Sequence, residues 1–108
     1  MMIARAPMVQ SVIYQPNNPV QGDTVFLEIT VYDEDIEVHG ISQALDIYTE
    51  LIQLPPLSTA ELIPSIGHNP AFMPDRAGDY GLRVTVTDDT GRYGWYELTI
   101  TVAETPPP

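Results

Sequence analysis

At 108 residues the chain has room for one domain and no second, and a sandwich of short strands needs about this length. It contains no cysteine, so disulfides, thiolate metal sites and thiol nucleophiles are excluded. Fifteen acids stand against four bases, all arginine, and the resulting −11 repels phosphate backbones and anionic headgroups; neither nucleic-acid binding nor membrane-surface binding is expected. No run approaches the roughly 18 apolar residues of a membrane span, and residues 1–8 do not read as a secretory signal peptide.

Eleven prolines and seven glycines break the chain into short runs rich in Val, Ile, Thr and Tyr, the grammar of an all-β protein. Residues 8–14, bounded by Pro7 and Pro16, predict a first strand. Residues 24–32 predict the clearest one: Val25, Leu27, Ile29 and Val31 alternate with Thr24, Phe26, Glu28, Thr30 and Tyr32, and a turn at Gly22-Asp23 launches it. A middle strand is expected over 44–52, with Leu45, Ile47 and Leu51 on one side, ended by Pro55-Pro56. Ser58 and Glu61 have capping-box spacing, which predicts one helical turn before Pro64. A short strand over 70–73 follows. Residues 80–87 alternate Tyr80, Leu82, Val84 and Val86 with Gly81, Arg83, Thr85 and Thr87. The Asp88-Asp89-Thr90-Gly91 turn returns the chain into a strand over 93–102, with Tyr96, Leu98, Ile100 and Val102 inward and Trp95, Glu97, Thr99 and Thr101 outward. The domain is expected over 8–103, flanked by an N-terminal arm, 1–7, and a proline-rich tail, 104–108.

The stretch from Pro74 to Tyr80 places a tight Ala77-Gly78 turn before a tyrosine that opens an alternating strand, the pattern of a tyrosine corner. Phe72, Pro74, Asp75, Ala77, Gly78, Tyr80, Leu82, Val84, Val86 and Asp88, with Pro19, Gly22, Asp23, Thr24, Val25 and Asp33 earlier, resemble bacterial and viral immunoglobulin-like domains of the PKD-like and Big-like types. The resemblance covers about half the chain. It implies an all-β, immunoglobulin-like Greek-key β-sandwich of about seven strands without a disulfide. Leu82 stands where antibody-type domains carry a bridging cysteine, so aliphatic packing is expected to close the core.

Function is less legible. Ser11, Ser42, Ser58 and Ser65 lie outside any nucleophile elbow. His39 and His68 lack metal-ligand spacing, and there is no phosphate-binding glycine loop. No catalytic residue is assigned and no enzyme is expected. Asp33 and Asp35 follow the second strand, and Asp88 and Asp89 the strand of the last hairpin; in an immunoglobulin topology these loops meet at one pole. Calcium at this set, or a solvated acidic end, are the two readings. The carboxylates are expected to be solvated, with ordinary acidity. The two ends have compositions that fray alone, so contacts with a neighbour through Met2, Ile3 and Met8 are expected, and Trp95 either anchors a partner or covers a sheet edge. A strongly acidic, lysine-free domain suits docking on a basic platform. The expected role is a non-enzymatic structural or interaction module of a virion or filament surface assembly, such as a capsid decoration protein. The alternative is one bead of a multidomain extracellular adhesion or carbohydrate-active protein.

Overall fold

A computed structural model describes residues 6–37 and 44–106, with positions 35 and 37 as backbone alone. Six strands and one four-residue helical turn follow in the order β1 (Met8–Gln15), β2 (Val25–Tyr32), α1 (Glu34–Glu37), β3 (Leu45–Gln53), β4 (Ala71–Phe72), β5 (Gly78–Asp88) and β6 (Tyr93–Val102). Two antiparallel sheets, β1–β2–β4 and β3–β5–β6, face each other. The chain changes sheet after β2, β3 and β4, which is the Greek-key crossing.

The alternation in the sequence becomes the core directly. Val25, Leu27 and Ile29 of one sheet meet Tyr80, Leu82, Val84, Val86, Ile100 and Val102 of the other, all at most 2% exposed. One cluster gathers around Phe72, Tyr80 and Leu82, the other around Ile29, Ile47, Val84 and Val86. Val31 and Leu98, expected in the core, are half-buried at its margin. Thr49 takes the inward slot of β3 between Ile47 and Leu51 and is fully buried.

Three expectations are corrected. Among the described residues the strands number six where about seven were expected, because 54–70 runs as turns and isolated bridges instead of pairing as a full strand. The helical turn expected after Ser58 does not form: the Ser58 oxygen accepts from the Ala60 amide at 3.3 Å and its proton goes to Asp75, but Leu62 bridges to Phe72 and Ile63 N–H donates to Ala71 O, which draws the segment into extended pairing. Among the described residues the one helical turn is α1. Tyr96, expected inward, is 48% exposed, because it lies toward the open side of the sandwich, beside 9–12 of β1.

The sheet edges are protected without lysine. Thr49 N–H donates to Ser65 O at 2.8 Å and Gly67 N–H to Ile47 O at 2.9 Å, so 65–67 covers the outer edge of β3. The same segment then crosses to β2, where Ile29 and Leu27 N–H donate to His68 O and Pro70 O. β1 carries a bulge between Val9 and Ser11, an edge-blunting device. Gly94 of β6 lets the N-terminal segment cross closely: a Cβ there would strike the Pro7 carbonyl oxygen and lie 3.2 Å from Met8 Cα.

Candidate interaction surface

The two poles are each organised by an aspartate. At the first, Gly78 adopts φ +134°, and a Cβ would sit 3.0 Å from Pro55, so a side chain is disfavoured twice over. The chain then enters β5 with Tyr80 fully buried. Its hydroxyl donates to Arg76 O at 2.6 Å and accepts from Arg76 N–H at 3.1 Å, which is the tyrosine corner. Beside it Asp75 accepts from the Ser58 hydroxyl at 2.5 Å and from the Thr59 amide at 2.8 Å and hydroxyl at 3.1 Å. The Ser58 hydroxyl foremost, and then the Thr59 amide, hold the Asp75 carboxyl at about 2, well below its ordinary value. Sequence reasoning assigned Asp75 no role; its only signal was its place in the corner motif.

At the opposite pole Asp88 closes the β5–β6 hairpin. Its Oδ1 accepts from the Thr90 amide at 2.9 Å, the Thr90 hydroxyl at 2.6 Å and the Arg92 amide at 3.0 Å, and Arg92 Nε stands 3.5 Å from Oδ2. Burial pushes this carboxyl up, but the Thr90 and Arg92 hydrogen bonds and the Arg92 charge outweigh it, and the net direction is down. Asp33 is buried as well, at 1% exposure, and its carbonyl accepts from Ile36 N–H. The expected solvated loop carboxylates with ordinary acidity are therefore corrected at Asp33 for burial and at Asp88 for both. Asp89 is exposed, and the Asp35 side chain lies outside the described residues. Among the described residues, no group of three or more His, Cys, Asp or Glu is arranged to hold a metal ion.

Of the residues expected to touch a partner, Met2 and Ile3 lie outside the described residues. Met8 opens β1 opposite Tyr32 and is 53% exposed. Trp95 lies on the outer face of β3–β5–β6, 57% exposed, and does not stand alone. Ladder pairing puts Ile66, Tyr48, Thr85 and Trp95 in one cross-strand row. The next row is Asp46, Thr87 and Tyr93, and on the other side lies Glu50, Arg83 and Glu97. The guanidinium of Arg83 sits 5.7 Å from the Trp95 ring centroid and pairs with Glu97 at 2.7 Å and Glu50 at 3.6 Å. Phe26 is also exposed, but on the outer face of the other sheet. The row across β3 was not foreseen; the parity of Tyr48 was its signal, and only register could align it with Trp95. A separate cavity of about 460 Å³ lies between β4 and 59–63, lined by Ile63, Phe72, Met73 and Asp75 among others.

No protein-family model matches the chain, and no curated protein matches it. Solved structures do. The PKD1 domain of Vibrio anguillarum Epp superposes with a TM-score of 0.64 at 20% identity, over 95% of this chain and 100% of that one. The PKD1 domain of the Vibrio cholerae metalloprotease PrtV gives 0.57 at 20% identity, over 92% and 99%. A structure described for the promiscuous specificity of carbohydrate-binding modules from the β-sandwich superfamily gives 0.69 at 18% identity, over 96% of this chain and 37% of that one. The tyrosine corner, the two three-stranded sheets and these likenesses agree: the chain has the PKD-like, immunoglobulin-like β-sandwich fold.

Proposed function

We propose that this domain is a non-enzymatic structural and interaction module displayed at an extracellular or virion surface, and that it serves as one bead of a longer surface protein. The observation that carries the bead reading is the placement of the chain ends. β1 starts at the pole where Met8 pairs with Tyr32. The last described residues leave the opposite pole, where Ala103 bridges Val20 in parallel and the Thr105 hydroxyl donates to Gln21 O at 2.9 Å. Entry and exit at opposite ends of the sandwich suit a head-to-tail array. The solved PKD1 domain of a metalloprotease, at 20% identity, supports the fold side of this reading.

The second reading is a subunit docked on a virion or filament surface, of the capsid decoration kind. The exposed aromatic row on β3–β5–β6 favours it, since a domain that only spaces others has no use for such a face. An antibody against the domain separates the two. The bead reading expects it to detect a polypeptide much longer than this chain in the secreted or surface fraction. A band at the mass of this chain alone, enriched in purified particles, would replace it with the decoration reading.

A further inference from the structure

We infer that the outer face of β3–β5–β6 docks a basic segment of a partner protein, with arginine or lysine side chains placed on its aromatic rings and between its carboxylates. The inference rests on the interaction-module reading and names the chemistry of the partner.

Three observations carry it. Tyr48, Tyr93 and Trp95 all project from one sheet face, each about half exposed or more. Tyr48 and Trp95 are two strand spacings apart in one row, roughly 9.5 Å, and Tyr93 is two residues from Trp95 along β6. Aromatic faces attract cations, and Arg83 over Trp95 is an internal instance of that contact. The charges beside the rings are complementary to a cation. Asp46, Glu50 and Glu97 stand against Arg83 alone, and Glu50 and Glu97 both pair with it, so carboxylate capacity remains in excess. The whole chain, at −11 without a lysine, steers the same kind of partner toward it. A neutral glycan would also lie on such rings and could hydrogen-bond the carboxylates, but only a cationic segment gains from their net negative charge and from the −11 of the whole chain.

Trp95 is the only tryptophan and so reports on its own face. The test titrates the full chain with a synthetic peptide alternating arginine and serine, and separately with a neutral glucan oligosaccharide, following Trp95 fluorescence. The peptide should change the fluorescence saturably, and salt should weaken it. Asp46→Asn should lower affinity about two- to fivefold, and Tyr48→Ala on the order of tenfold. Glu28→Gln, the same charge change on the opposite sheet, should leave it unaltered. Trp95→Ala, read by calorimetry, should match Tyr48→Ala. Equal weakening by Glu28→Gln and Asp46→Asn would reduce the effect to diffuse charge and overturn the surface. Binding of the glucan in place of the peptide would make the face a carbohydrate platform, and no binding of either would remove it. A failed titration alongside antibody detection of a longer polypeptide would leave the module reading intact.

Discussion

Both poles of this sandwich are tied by an aspartate that accepts three or more hydrogen bonds, yet the two ties do different work. Asp75 reaches Ser58 and Thr59, 17 and 16 residues away, and fastens the loop after β3 to the corner that opens β5. Among the described residues the Asp88 carboxylate reaches Thr90 and Arg92, two and four residues on, within one hairpin turn. A contact that closes a long loop is made only when the tertiary structure is in place. One inside a hairpin can form and break with its turn. The first pole is therefore expected to come apart only with global unfolding, and the second to open with its turn.

The largest expected effect tests what lies between the poles. Leu82 is fully buried near Tyr80, and Leu82→Ala should cost about 2–5 kcal/mol in denaturant melts. A smaller loss would mean that the core relaxes and the poles carry more than assigned to them. Next is Tyr80→Phe, which keeps the ring against Phe72 but strands the Arg76 amide and carbonyl. It should cost roughly 1–3 kcal/mol, with faster amide exchange throughout the domain rather than at the corner alone.

Acid separates the poles further. Asp75 has its folded-state pKa held at about 2 against an ordinary 3.8. Because it is depressed, its contribution to stability is fully present above 3.8 and drains away as pH falls toward about 2. Asp75→Asn should flatten that limb of the stability–pH curve, and an unchanged limb would refute the assignment. Asp88, also lowered, drains in the same direction. Asp88→Asn should nevertheless show itself first as faster exchange at the Thr90 and Arg92 amides, with the core strands still protected. Loss of protection across β2 and β5 would erase the distinction between the poles.

The smallest effect concerns calcium. Oδ1 of Asp88 already holds three donors, and Arg92 Nε faces Oδ2. Calcium should raise the melting temperature no more than magnesium at equal ionic strength. A saturable, calcium-specific rise would show that Asp33, Asp35, Asp88 and Asp89 assemble a cation site.

What was legible in the sequence is what depends on neighbours along the chain. Period-2 alternation put Val25, Leu27, Ile29, Leu82, Val84 and Val86 inside, because strand geometry sends successive side chains to opposite faces. The corner was legible too: positive φ at Gly78 and a tyrosine two residues on are local requirements. Tyr96 followed the same parity and still emerged exposed, since parity fixes the side of a sheet but not how far the facing sheet extends to cover it. Ser58 showed why a local motif can lose. Its oxygen still accepts the Ala60 amide locally, but the Leu62 bridge to Phe72 and the Ile63 N–H bond to Ala71 O, partners that exist only after folding, hold the segment extended. The candidate surface divides the same way. The sequence by itself turned Trp95 outward. Only the register of β3 on β5 and β5 on β6 set Tyr48 in its row and the carboxylates beside it, because cross-strand neighbours are chosen by tertiary pairing and not by distance along the chain.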